Sequence, residues 1–193
     1  GYFRRLGVPV HDADAAVHRL LAPGGGGVAA VGAAFPGVVI DGAVDRKALG
    51  KQVFGNAAAL KRLERILHPL VRRSETAFLG RACRERRRVV ILDVPLLFET
   101  GGEARCDVVC VVSAPPELQR RRALARPGMT EDRLAAVLAR QMPDREKRRR
   151  ADFVIRSGRG RAQALQDVRR ILKVLQPWAG THWPPRRIRR SAR

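Results

Sequence analysis

Two spacings of apolar positions alternate along the chain. Short β-branched runs at 8–11, 89–92, 107–112 and 153–155 are flanked by polar or turn-forming residues, and they predict strands. The run Val89–Leu92, ending at Asp93, is apolar throughout, which predicts a strand covered on both faces. Pro9 suits its run to a sheet edge. Between and after these runs the spacing becomes helical, at 15–21, 28–35, 117–125, 131–141, 144–150 and 162–175. Residues 1–6 read as the end of a helix stopped by Gly7, and 36–44 as a loop with a turn at Asp41-Gly42. Asn56 is a good N-cap for a long stretch striped by Leu60, Leu63, Leu67, Leu70, Val71, Ala77 and Phe78, which Pro69 is expected to kink or split. Strands alternating with helices predict an α/β fold, a parallel sheet with helices on both faces.

Composition changes this picture in one respect. A chain of 193 residues suits one α/β domain with an embellishment or two very small domains, and aromatic residues at 5% leave Val, Leu, Ile and Ala to build the core. The net charge of +21 is the departure, and apart from five Lys every cation is Arg. Such a field attracts polyanions, nucleotides included, although much of the excess fits solvated helix faces equally well. No apolar run approaches the ~20 residues of a membrane span; the longest, 89–98, already contains Asp93. No signal-peptide pattern follows Gly1. Three Cys without Cys-x-x-Cys spacing point to a reducing compartment, and a cytoplasmic location is expected. Residues 177–193, with two Trp, three Pro and Arg186-Arg187-Ile188-Arg189-Arg190, predict a basic, disordered tail.

Candidate chemistry gathers where strands end, as it does in open parallel sheets. Asp12 and Asp14 follow the first strand and, two apart, share a side in extended geometry; Asp93 ends the second. One carboxylate can take a proton from a hydroxyl while its neighbour holds a metal or orients the first. The plain alternative makes Asp14 the N-cap of helix 15–21. A second feature is the cations of 119–150. Arg122 and Arg126 share a helix face, Arg140 ends the next helix, and Lys147 lies in the third. Fixed cations over a cleft are what phosphoryl transfer needs, and a solvated basic face is the alternative. His68-Pro69 marks the break expected in the long helix. Gly24–Gly27 has the look of a phosphate loop, but it follows a helix and lacks the Gly-Lys-Ser/Thr ending.

Taken together, Leu6-Gly-Val-Pro-Val-His-Asp-Ala-Asp-Ala, Ile66-Leu-His-Pro-Leu-Val-Arg, Leu92-Asp-Val-Pro-Leu-Leu-Phe-Glu-Thr-Gly, Pro115-Pro-Glu-Leu-Gln, Arg140-Gln-Met-Pro-Asp and the segment Lys147–Asp152 resemble dephospho-coenzyme A kinase over about residues 1–175. That family consists of P-loop kinases of the nucleoside-monophosphate-kinase type, which move the ATP γ-phosphate to the ribose 3′-hydroxyl of dephospho-coenzyme A. The resemblance implies a three-layer P-loop kinase-like parallel sheet with helical acceptor-binding and lid insertions. The core would be 1–25 and 86–176 with a lid at about 117–150, a mostly helical acceptor region at 26–85, and the tail at 177–193. It implies Asp14 as base with Asp12 beside it, and His68, Pro69, Arg72, Asp93, Leu97, Phe98 and Glu99 on the acceptor side. Arg122, Arg126, Arg140 and Lys147 would meet phosphates. ATP with Mg²⁺, and dephospho-coenzyme A, are the implied small molecules; no membrane or nucleic-acid partner is expected, and the chain would be a monomer or weak oligomer.

The departure from the pattern is at the start. Family members open with a strand and a Gly-rich Walker A loop before the helix that ends in Leu-Gly-Val-Pro-Val, and here Gly1 falls inside that helix. The expectation is therefore a truncated chain with no metal ligand of its own, inactive as written. A gap is expected between strands 89–93 and 107–112, where the family's first strand would lie. Arg156 also stands where the family often has an acidic residue. The rival readings are a basic nucleic-acid-binding module on a degenerate kinase scaffold and another small-acceptor P-loop kinase.

Overall fold

Each of the four predicted β-branched runs overlaps a strand, and the 3.6-period stripes form helices. The computed structural model describes residues 1–183, which divide into two compact units.

One unit comprises Val10–Arg86 with Val90–Val94. Strand β1 (Val10–Asp12) pairs in parallel with β4 (Ile91–Asp93), in the register Val10 opposite Ile91, His11 opposite Leu92 and Asp12 opposite Asp93. Helix α2 (Ala13–Leu21) starts directly from β1, α3 (Val28–Ala34) follows, and a two-residue turn joins β2 (Val39–Ile40) to β3 (Ala43–Val44) in an antiparallel hairpin. Asp41 and Gly42 both have positive φ, the conformation a two-residue hairpin turn needs, so the expected loop is a hairpin about the expected turn. Helix α4 (Arg46–Val53), capped by Asp45, was not foreseen; its apolar stripe is short and only Leu49 is buried. Helix α5 (Ala57–Arg84) runs 28 residues from its Asn56 cap with Pro69 inside it.

Pro69 therefore does not split the long helix. An interior Pro costs about 3 kcal/mol through its missing N–H and ring clash. Helices α2, α3 and α4 all pack against α5, and Leu67 joins Leu21, Val31, Phe35, Val38, Val44, Leu49 and Ala59 in one core. Tertiary packing on both sides of the Pro outweighs the local preference. The Gly24–Gly27 run is a helix stop. A Cβ at Gly25 would collide with the carbonyls of Arg19 and Leu20, so only glycine lets the chain fold back over the end of α2.

The other unit comprises Gly1–Pro9, Arg87–Val89 and the chain from Pro95 onward. Helix α1 (Tyr2–Arg5) lies on α9 (Arg161–Leu175), and Tyr2, Phe3 and Leu6 pack on the buried cluster Ile155, Ala164, Val168 and Ile171. Strand β5 (Cys110–Ser113) pairs in parallel with β6 (Phe153–Arg156). Between them come α6 (Pro116–Leu124), α7 (Glu131–Leu138) and α8 (Asp144–Arg150). Among the described residues β4 has β1 as its one ladder partner, and β5 has β6. The architecture is α/β, with parallel ladders and covering helices.

The tail expectation needs correction as far as residue 183; residues 184–193 lie outside the described residues. Asp107 Oδ1 accepts from the backbone N–H groups of Thr181 and His182 (2.7 Å for the latter) and from the Thr181 hydroxyl; Oδ2 accepts from Trp183 N (2.8 Å). The Trp183 indole N–H donates to the carbonyl of Arg87 at 3.0 Å. Burial alone would raise the Asp107 pKa, but the donors from His182, Thr181 and Trp183 outweigh it and hold it below the ordinary value. The stabilisation is thus present above the ordinary carboxylate range and is lost as pH falls through the lowered value. Of the two tryptophans Trp183 sits on this strap, while Trp178 follows the end of α9 and is 51% exposed, so a change in indole emission on loss of Asp107 reports Trp183. Asp107→Ala is expected to move the emission to longer wavelength at pH 7, as acid does in the parent; unchanged emission would contradict the strap.

Candidate active site

The carboxyl end of the β1–β4 ladder is acidic because of where the two strands stop. Asp12 and Asp93 are cross-strand partners, and Asp14 lies in the first turn of α2. The residue that caps α2 is Asp12: its Oδ1 accepts from Ala15 N at 2.9 Å. Asp14 does not serve as the cap. Its carboxylate is exposed at the helix N-terminus, where the peptide dipoles favour negative charge. Among the described residues no group of three His, Cys, Asp or Glu side chains is placed to hold a metal ion.

His68, Pro69 and Arg72 lie on the exposed side of α5 in the same unit, four residues separating His68 from Arg72, while Leu67 faces the core. The helix does not break at His68, so this segment is a continuous helical face and not a helix end.

Residues 97–99 belong to the β5–β6 unit. Phe98 is only 8% exposed, and the Arg150 guanidinium covers its ring at 4.8 Å. Glu99 Oε1 accepts from Lys147 Nζ and from Met142 N, both at 2.8 Å. Burial acts to raise the Glu99 pKa, but the Lys147 hydrogen bond and the backbone donors prevail and hold it low. A second rung runs alongside, Arg150 Nη2 to Glu103 Oε1 at 2.7 Å. Lys147, expected among the phosphate-binding cations, is thus committed to Glu99. Arg150 and Glu103 were not singled out from the sequence, where Arg150 is one of a basic run and nothing links it to a carboxylate 47 residues away.

Side chains of Glu99 and Lys147 are 15% and 16% exposed, so deleting one partner strands a largely buried charge. Lys147→Met is expected to lower the unfolding free energy by about 2–3 kcal/mol. Lys147→Met with Glu99→Gln should recover much of that, and a chemical denaturation series would read both. A single variant as stable as the parent would show that the pair contributes nothing.

Arg122 donates from Nη1 to Ser157 Oγ (3.2 Å) and from Nη2 to Ser157 O (3.1 Å), and the Ser157 hydroxyl donates to Ser113 O. It therefore holds the turn after β6 as well as carrying charge. Arg126 and Arg140 are exposed, just beyond the ends of α6 and α7. Sequence reasoning also missed a groove of about 490 Å³ along α8, lined by Pro143, Arg145, Glu146, Arg149 and Arg150. Phosphate groups fit such a lining of guanidinium groups.

Comparison with known proteins gives this arrangement a family. Residues 1–162 match the family model described as dephospho-CoA kinase (CoaE). The chain is 72% identical over 145 residues to the dephospho-CoA kinase of Paramagnetospirillum magneticum, covering 75% of this chain and 68% of that protein. It is 57% identical over 181 residues to the dephospho-CoA kinase of Mesorhizobium japonicum, covering 93% and 90%. A crystal structure from Thermus thermophilus superposes with a TM-score of 0.76 at 35% identity, over 93% of this chain and 89% of that one. The chain belongs to the dephospho-CoA kinase family, ATP-dependent transferases of coenzyme A biosynthesis. Among the described residues no helix is long and apolar enough to cross a membrane.

Proposed function

We propose that the acidic end of the β1–β4 ladder is where the acceptor hydroxyl is activated, and that Asp14 is the general base. The observation that carries this is the division of labour at the helix start. Asp12 takes the capping bond, and Asp14 keeps an exposed carboxylate beside it. In the proposed step Asp14 removes the proton of the ribose 3′-hydroxyl of dephospho-coenzyme A. The oxygen forms a bond to the γ-phosphorus of ATP, the bond to the β–γ bridging oxygen breaks, and ADP leaves. Asp12 orients the turn, Asp93 closes the acidic end, and His68, Pro69 and Arg72 receive the acceptor. Leu97, Phe98 and Glu99 form the segment against which it rests, Glu99 acting through its Lys147 bond. Arg122, Arg126 and Arg140 neutralise phosphate charge.

The 193 residues contain no Gly-x-x-x-x-Gly-Lys-Ser/Thr. We read them as carrying the acceptor and lid sides of the reaction, with turnover dependent on a phosphate loop and on Mg²⁺ brought with ATP. The three-layer parallel sheet implied by the family belongs to the same reading. A cytoplasmic monomer or weak oligomer acting on two small molecules completes it.

Calorimetric titration of the chain with dephospho-coenzyme A tests the acceptor reading. Saturable binding, weakened by Arg72→Ala, is expected. Absence of binding, together with strongly salt-dependent affinity for unrelated RNA and DNA, would instead favour the nucleic-acid module.

A further inference from the structure

His11 is an unusual occupant for the middle of β1. Its neighbours are Val10, opposite Ile91, and Asp12, opposite Asp93, and its own backbone lies opposite Leu92. The side chain is 4% exposed. Its Nδ1 is buried without a hydrogen-bond partner, its Nε2 lies 3.2 Å from Ser74 Oγ on α5, and its ring meets that of Phe78 at 5.5 Å with a 48° tilt. A Val or Leu would fill this position without desolvating two ring nitrogens. The site therefore has a polar cost offset by one specific bond, to Ser74.

The same facts set the tautomer. Burial lowers the His11 pKa; Glu75 and Asp12 act to raise it, and Arg19 and Arg81 to lower it, with burial the largest influence. The ring is neutral near pH 7, and it carries one N–H. An orphaned buried N–H is rarer than an under-used acceptor, so the hydrogen sits on Nε2 and is donated to Ser74 Oγ.

Ser74 and Phe78 are four apart on α5 and share a face, and Ser74 lies two residues beyond Arg72. Asp12 is the next residue after His11, and Asp14 is two further on. We propose that His11 is a positioning residue: its bond to Ser74 holds the end of β1, with Asp12 and Asp14, in register with the helix that carries His68 and Arg72. The inference rests on the acceptor reading above and goes beyond it. The two sides of the acceptor site lie on separate elements, a three-residue strand and a long helix, and the His11–Ser74 bond ties them at one point. Nothing in this role requires His11 to touch the substrate.

The test uses five versions of the chain, parent, His11→Leu, His11→Gln, Ser74→Ala and the double variant His11→Leu with Ser74→Ala, each titrated with dephospho-coenzyme A alongside a thermal melt. Leu fills the space without a donor, and Gln places an N–H close to where Nε2 stands. His11→Leu and Ser74→Ala are expected to bind roughly five- to tenfold more weakly, as loss of one hydrogen bond implies, and the double variant no more weakly than either. His11→Gln is expected to bind like the parent. A packing role would make Leu the better substitute and Gln the worse, so this ranking separates the two. Nitrogen chemical shifts, assigned by the resonance that His11→Gln removes, are expected to show a neutral ring protonated at Nε2.

If the parent binds and all variants bind equally, the positioning role falls while the acceptor reading stands. Additive losses in the double variant, or a hydrogen on Nδ1, would overturn it too. If the parent fails to bind, the acceptor reading falls and the inference falls with it.

Discussion

Asp14→Asn is expected to lower the rate of ATP-dependent phosphorylation of dephospho-coenzyme A by 10²–10⁴-fold, the usual contribution of a general base, in a chain supplied with a phosphate loop before Gly1. The acceptor Kd should change little. Asp14 does not bear the α2 cap, which rests on Asp12 accepting from Ala15 N at 2.9 Å, and it is exposed, so the substitution leaves the helix start intact. Asp12→Asn is the instructive comparison. Asn also caps helices well, so the melt should stay close to that of the parent and any loss of rate should be smaller than for Asp14→Asn. If Asp14→Asn turned over at nearly the parent rate while Asp12→Asn did not, the base assignment would move two residues upstream. Rates and melts measured on the same preparations distinguish these outcomes.

Much of this site was legible because its signals are local. Asp12-Ala-Asp14 at the end of an apolar run marks a strand-to-helix junction, and the residues that end β1 and β4 follow from where the apolar runs stop. Which of the two aspartates caps the helix was not legible. Both sit within one turn of the start, and the choice is made by the backbone conformation of one residue, Asp12, whose φ of −108° and ψ of 111° place it outside the helix. Pro69 misled for a different reason. Its local penalty is real, but the opposing term comes from α2, α3 and α4, elements far from it in sequence. Long-range polar pairs were beyond reach for the same reason. Lys147 reads as one cation in a basic run until Glu99 is seen 2.8 Å away, and Asp107 reads as the start of the strand run 107–112 until the backbone of 181–183 closes around it. His11 reads as a strand residue and no more, because a lone His in a short apolar run carries no sign of its partner.

The largest effect is expected from the phosphate loop itself. The chain as it stands should phosphorylate dephospho-coenzyme A at a rate near background. Preceding Gly1 with an apolar strand and a Gly-x-x-x-x-Gly-Lys-Ser/Thr turn should raise that rate by well over 10³-fold. One preorganised donor to developing charge is worth a factor of about 10²–10³, and a phosphate loop contributes several backbone amides and a Lys together. The structure is suited to the extension. Tyr2 and Phe3 of α1 are already packed on the α9 core, so an added segment starts from an anchored helix. Strand β5 has β6 as its one ladder partner among the described residues and leaves Val112 64% exposed, which a further strand and its connections can cover. The extended chain should therefore also melt at higher temperature and aggregate less. Two results would overturn this expectation. Equal turnover with and without the extension would mean that other cations, such as those lining the α8 groove, already hold the transferred phosphate. A gain in melting temperature without a gain in rate would make the added strand structural and leave the phosphate-binding role unsupported.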